Sequence, residues 1–351
     1  MAARKEIVGR AVAQGMPVKR ALAVAEIPRS SYYYRPNGKR IGKAASTHTR
    51  CGNLLLANEV VVKEINDILS EEFIDYGYER TTEELKKRGF HINKKKVYRL
   101  MKENSLLFPK IKREPGKRKF VEFTVPLVTK PLETIELDIK YIYIQGLKKH
   151  AYLITMLDVF SRTALVWELN HTMKAEDAIR LVSKLVRDWL FPMNLDPQQL
   201  SVKIRTDNGS QFIAKAFKTS LENAQISNEY IRPATPQQNA HIESFHSTLS
   251  RLVCEKYHFD DVQEAQDVLK RFFHTYNSKR IMKAILNMAP LEFLRAWSEG
   301  RIDCILKDRE VKYFLREKPT DKKSGSLPAD TFLSFYKNNQ LLSNFINPQP
   351  I

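Results

Sequence analysis

The chain has 351 residues, with 58 Lys plus Arg against 40 Asp plus Glu, a formal charge of +18. That length holds two or three domains. The basic balance points to a polyanion, nucleic acid before membrane, since no apolar run of 18 residues is present to cross a bilayer. Cys51, Cys254 and Cys304 are too scattered for a disulfide framework, no His/Cys spacing suits zinc, and Met1–Glu6 lacks the apolar core of a secretion signal, so a cytoplasmic location is expected.

Residues 1–45 are expected to form a small helical unit. Ile7, Val8, Ala11 and Val12 give one apolar face, Gly15 interrupts it, Val18, Ala21, Leu22 and Ala25 give another, and Ser30–Tyr34 opens a third short helix. This order fits a helix-turn-helix that reads DNA, and equally a helical hairpin that packs on something else. From Pro36 to Asn53 the chain is rich in Gly, Ser, Thr and basic residues without period, and 46–57 is expected as a linker.

A second helix-turn-helix unit is expected over 58–108. Val60, Val61, Ile65 and Ile68 make a stripe, Phe73–Tyr78 a turn, and Thr81 or Thr82 caps a helix that runs through Lys87 to Gly89. Asn93 caps the next helix, Lys94–Lys102, with Val97, Leu100 and Met101 inward. Lys94, Lys95, Arg99 and Lys102 are its candidate DNA contacts, against the alternative of a solvated basic face. Residues 109–130 read as an extended basic linker, and Lys112, Arg113, Lys117 and Arg118 are placed to track phosphates.

Residues 131–298 alternate strand and helix patterns. Glu136–Ile144 reads as a half-buried strand with Ile135, Leu137, Ile139, Tyr141 and Tyr143 on one face and Asp138 on the other. Strands over 151–157 and 163–169, a helix over 175–190 and a buried strand over 202–206 follow. That last strand ends in the turn Asp207-Asn208-Gly209, and a carboxylate just past a strand end sits where ligands usually bind. A helix over 212–221 and a strand over 226–231 precede a second helix start, where Thr235, Pro236 and Gln238 stand as N-cap, first position and third position. Along that helix Ile242, Phe245, Leu249, Leu252 and Val253 form the apolar stripe, and Glu243 lies away from it. The order is that of an RNase H-like α/β fold, a mixed five-stranded sheet with flanking helices, preceded by the all-α helix-turn-helix units. Residues 299–351 form a C-terminal extension of weak periodicity.

Asp138, Asp207 and Glu243, the last two separated by the 35 residues 208–242, resemble the DDE triad of retroviral integrases and bacterial transposases. The motifs Leu157–Arg162, Thr206–Phe212, Gln238–Phe245 and Tyr276–Arg280 narrow the likeness to transposases of small insertion sequences encoded by a second, "OrfB" frame, over roughly 58–294. The resemblance implies cleavage at transposon ends and transfer of the 3′-OH into DNA by transesterification. Partners would be double-stranded DNA (terminal inverted repeats and target) and at least one further copy of the chain. Charge on the attacking and leaving oxygens calls for two Mg²⁺ ions, with Mn²⁺ as substitute: Asp138 would bridge them, and Asp207 and Glu243 would hold one each. Asp158 matches a family position and is expected to anchor Ser161 and Arg162 rather than bind metal, with Asn208 and Gly209 supporting the Asp207 turn. Gln238 and Asn239 either contact DNA or stabilise the helix start. His241 and His246 flank Glu243 and are expected to be solvated, with DNA contact by one of them as the alternative. Where the family has Lys or Arg seven residues after its glutamate, this chain departs with Ser250; Arg251, one later and about 100° round the helix, is kept as a candidate DNA contact.

Overall fold

The computed structural model describes residues 2–33, 45–109, 127–191, 201–232, 236–307 and 310–316. It divides into two compact units, Met1–Thr47 and His48–Ile351. In the first, α1 (Ala2–Ala13), α2 (Val18–Val24) and α3 (Arg29–Tyr33) enclose Val8, Ala21, Leu22 and Ile27. Gly15, at φ +89°, makes the reversal between α1 and α2. Ile7 is 60 % exposed rather than part of the apolar face, so the buried stripe of α1 is Val8 with Ala11 and Val12.

The second unit begins where a linker is expected. Residues 48–57 instead form a hairpin, β1 (His48–Cys51) and β2 (Leu54–Ala57), turned at Gly52 with φ +54°. Leu56 packs on the helical core behind it, and Lys96 Nζ donates to the His48 carbonyl at 2.6 Å. Short β3 (Phe90–His91) completes a three-stranded sheet. Against it lie α4 (Asn58–Ser70), α5 (Tyr78–Lys87) and α6 (Lys94–Glu103), which bury Val61, Ile65, Ile68, Leu85, Val97, Leu100 and Met101. Asn93 caps α6, its side chain accepting from Lys96 N at 2.9 Å. Val60 is exposed. Thr81 and Thr82 are not caps: α5 starts at Tyr78, and both buried hydroxyls donate one turn back, to the carbonyls of Gly77 and Tyr78.

The larger sheet has five strands in the order β6-β5-β4-β7-β8: β4 (Thr134–Ile144), β5 (Lys149–Asp158), β6 (Ala164–Asn170), β7 (Lys203–Thr206) and β8 (Ser227–Tyr230). The β6-β5-β4 meander is antiparallel, and β4-β7-β8 is parallel. One face is covered by α7 (Ala175–Leu185), its π-turn continuation Val186–Leu190, α8 (Ser210–Ile213) and α9 (Lys215–Asn223), which pack Leu181, Val182, Phe212 and Phe217 on Ile135, Leu137, Ile154 and Ile204. The helix expected over 212–221 is thus two helices, separated where Ala214 leaves helical backbone. The other face carries α10 (Ala240–Leu249), a π turn over Ser250–Cys254, and α11 (Val262–Ser278), whose Phe245, Leu249, Leu269, Phe272 and Phe273 meet Ile142, Leu153 and Leu169. Beyond α12 (Pro290–Ser298), residues of the expected irregular extension form a hairpin, β9 (Ile302–Lys307) and β10 (Glu310–Leu315), and Tyr313 packs edge-on against Phe160 and Phe293.

The turn at 71–76 joins the helix-turn-helix-like part to the larger sheet. Phe73 sits edge-on to Phe272 at 5.5 Å. Tyr76 Oη accepts from Ile281 N at 2.8 Å, and burial pushes that phenol up to about 12. Asp75 receives Arg280 Nη2 and Arg251 Nε, each at 2.7 Å, while Arg271 and Lys279 pair with Glu72 and Glu71. Arg280 is nearly sealed, with its side chain 4 % exposed, so Asp75 neutralises a charge that water does not reach. Asp75→Ala is expected to cost about 3–5 kcal/mol in urea denaturation, the penalty of leaving one half of a buried pair uncompensated.

Candidate active site

Three elements carry the acids, and the structure sets Glu243 beside Asp138 without closing Asp207 onto them. Asp138 is on β4, partly exposed, on the face covered by α10 and α11. Asp207 follows β7, whose parallel register with β4 aligns Ile135 with Ile204 and Glu136 with Arg205. Asp207 stands in the turn just past the end of β7, beside the strand that carries Asp138. Asp207 Oδ1 accepts from Gly209 N at 2.9 Å. Glu243 is exposed in the first turn of α10. Burial, and then the negative charges of Asp138 and Glu136, raise its carboxyl above the ordinary range, while His246 draws it back down.

What fixes α10 over β4 is Glu136, a residue that no motif of the sequence marks. Glu136 is fully buried, two positions before Asp138 and on the same strand face. Its Oε2 accepts from Ile242 N at 2.7 Å, and Oε1 lies 2.9 Å from His241 Nδ1. A carboxylate at a helix start meets unpaired N–H groups and the positive end of the helix dipole, which offsets the cost of burying it. Beside it on β7, Arg205 holds the Gln238 carbonyl at 3.0 Å and Glu229 Oε2 at 2.7 Å. His246, one turn beyond Glu243, is 7 % exposed, with Nδ1 3.3 Å from Asp138 Oδ2. His246 is buried rather than solvated as expected, and His241 is partly buried against Glu136. An acid on the catalytic face of β4, and an imidazole three residues from Glu243, were the available signals.

The helix start also differs from expectation. Thr235 lies outside the described residues, and Pro236–Asn239 is a 3₁₀ turn, so α10 begins at Ala240 with Asn239 as N-cap. Asn239 is 4 % exposed, and its side chain makes no cap hydrogen bond to α10. The Gln238 Oε1 accepts from Arg232 N at 2.7 Å, so its amide supports the loop before α10. Arg251 is drawn to Asp75 rather than held out for DNA, because the π turn and the packed 71–76 segment place the two side by side. Lys112, Arg113, Lys117 and Arg118 lie outside the described residues. Lys94, Lys95 and Lys102 are exposed on α6, Lys94 within 3.5 Å of Glu79, whereas Arg99 is half-buried and 3.8 Å from Glu103.

The supporting residues shape two turns. Asp158 is fully buried and accepts from Leu132 N, Ser161 N and Ser161 Oγ, which oppose the upward push of burial on its carboxyl. Arg162 turns the chain at φ +66°, and burial lowers its guanidinium near Glu136 and Asp158. Asn208 Nδ2 donates to the Ile231 carbonyl at 3.1 Å, tying the Asp207 turn to the end of β8. Gly209 contributes its N–H to Asp207 and its carbonyl to the first turn of α8.

Comparison with known proteins agrees with this architecture. The integrase core domain family matches residues 128–236, a second integrase core domain family matches 224–290, and an HTH-like domain family matches 56–114. The chain is 28 % identical over 288 residues to InsK, the transposase assigned to insertion sequence element IS150 of Escherichia coli strain K12, covering 80 % of this chain and 94 % of that one. It is 27 % identical over 257 residues to the transposase of IS904 from Lactococcus lactis subsp. lactis, covering 70 % and 98 %. Among solved structures, the HTLV-2 integrase catalytic core domain in complex with magnesium aligns with 47 % of this chain and 97 % of its own length, at 14 % identity and a TM-score of 0.35. A match to an HTH-like domain thus precedes the matches to integrase core domains, and over most of its length the chain is similar to transposases of bacterial insertion sequences.

Proposed function

We propose that this transposase cuts DNA at the ends of its own element and joins the freed 3′-hydroxyl to target DNA, with Asp138, Asp207 and Glu243 as the catalytic acids. The observation that carries the proposal is the docking of α10 on β4, which sets Glu243 where the Asp138 charge helps to raise its carboxyl. Such a cluster is self-repelling unless a cation shares it. The donors are carboxylate oxygens, the chemistry that Mg²⁺ prefers and Mn²⁺ accepts. Among the described residues no three His, Cys, Asp or Glu groups are closed around one point; Asp207, turned to Gly209 N, would rotate to join the other two.

Asp138 would serve as the shared ligand, with Asp207 and Glu243 each completing one side. When bound, two divalent ions would neutralise charge on the attacking and departing oxygens of an in-line displacement. The partly exposed Asp138 and the exposed Glu243 leave the site open to a duplex, while Glu136 and Arg205 keep α10 from shifting as DNA enters. No side chain acts as a covalent nucleophile in this scheme. The exposed face of α6, with Lys94, Lys95 and Lys102, and the net charge of +18 support double-stranded DNA as the partner. Bringing two ends together requires at least a second copy of the chain, and a bacterial cytoplasm is the proposed location.

A strand-transfer assay with labelled element-end oligonucleotides and Mg²⁺ or Mn²⁺ tests the scheme. Joined products are expected; cleavage without joining would indicate a nuclease, and binding alone a regulator. Asp207→Asn is expected to lower joining by about 100-fold or more while end binding persists; undiminished joining would remove Asp207 from the mechanism. Glu243→Gln tests the repulsion. A carboxyl raised in the folded state contributes stability below its unfolded value, about 4.3, and loses it as pH rises through the folded value. In divalent-free buffer the variant is therefore expected to melt slightly higher than wild type at pH 7, with the gain vanishing below pH 4, and the effect is small because the carboxyl is solvent-screened.

A further inference from the structure

We propose that His246 is a positioning residue that holds the Asp138 carboxylate in the orientation a divalent cation needs. The proposal rests on the reading of Asp138 as a cation ligand. The two pairs on α10 divide the work. His241 meets Glu136, which is sealed from solvent and also bonded to Ile242 N, so that pair docks the helix. His246 meets Asp138, which is partly exposed with its side chain 26 % accessible, so this pair faces the reaction side of the sheet.

Packing alone does not account for an imidazole here. Phe245 and Leu249, beside it on α10, are buried apolar residues, and the Phe245 ring lies 5.6 Å from that of His246. An apolar side chain would fill the site without a desolvation penalty, and burying a polar group with incomplete hydrogen bonding costs roughly 1–3 kcal/mol. That penalty is visible at Nε2, which is buried with no hydrogen-bond partner among the described residues. Nδ1 instead lies 3.3 Å from Asp138 Oδ2, within ion-pair reach of that carboxylate. The i, i+3 spacing fixes His246 on the same side of α10 as Glu243. One imidazole thus restrains one oxygen of Asp138 and leaves the other oxygen to a cation. A lysine or arginine in its place would compete for the same carboxylate charge. Groups that hold a ligand in place set metal affinity without touching the metal, and their loss typically weakens binding 10–100-fold.

The test is Mn²⁺ binding to the full chain, followed by electron paramagnetic resonance and compared across His246→Ala, His246→Asn and Asp138→Asn. The expected result is an affinity about 10–100-fold weaker in His246→Ala and close to wild type in His246→Asn, whose amide nitrogen can take the place of Nδ1. Cleavage by His246→Ala should then recover at high Mn²⁺, its midpoint displaced rather than its plateau lost. If His246→Ala does not fold, His246→Leu keeps the volume, removes the donor and carries the same comparison. Wild-type affinity in His246→Ala or His246→Leu, with binding lost in Asp138→Asn, overturns the role of His246 alone. Retained Mn²⁺ binding in Asp138→Asn, or none in wild type, overturns the ligand reading beneath it. Equal weakening in His246→Ala and His246→Asn also overturns the proposal, since shape rather than the donor would then matter.

Discussion

A single buried carboxylate governs the geometry of this site. Glu136 lies on the central strand and accepts from the backbone of the helix that carries Glu243. Charge-assisted bonds of this kind are about twice as strong as neutral ones, and their direction is fixed by the backbone rather than by a rotamer. Removing the acceptor would leave a buried N–H without a partner and loosen the start of α10. The apolar stripe of Ile242, Phe245 and Leu249 supplies most of the burial that holds the helix on the sheet. Burial is indifferent to small rotations, however; the Glu136 bond is what sets which residues of α10 stand over β4.

The same division recurs at the other end of the helix. The π turn at Ser250–Cys254 lets Leu252 and Val253 remain buried while Arg251 emerges beside Asp75. Asp75 also receives the sealed Arg280, so the turn at 71–76 is bound to the core by one carboxylate shared between two guanidinium groups. Phe73 and Tyr76 add apolar area around that pair. The helix-turn-helix-like part and the catalytic core therefore share an interface. The expected absence of a basic residue at 250 has a counterpart here: the arginine one position later serves that interface.

Much of this was legible in the chain. Alternation over 135–144, the turn residues at 207–209 and the 3.6-residue stripe from Ile242 onward each report a local periodicity, and each formed the element it implied. Asn93 was readable as a cap because its side chain serves its own helix. Thr81 was not a cap, since the polar residue nearest an expected start need not be the start; here the backbone began at Tyr78. The hairpin at 48–57 is not legible because four-residue strands carry too short a pattern; it forms through tertiary contacts, with Cys51 and Leu56 on the helical core, Lys96 on the His48 carbonyl and β3 beside β1.

The sequence by itself determined the strands of the larger sheet, most of the helices, the faces on which Asp138 and Glu243 lie, and the spacing by which the acids resemble a set. Tertiary structure alone decided the partners: Glu136 with Ile242, His246 with Asp138, Arg251 and Arg280 with Asp75. The reason is geometric. A period of two or of 3.6 residues dictates the side of an element on which a residue projects, because bonded neighbours fix it. What stands opposite that side depends on the register between chain segments as many as 205 positions apart, which no local pattern encodes.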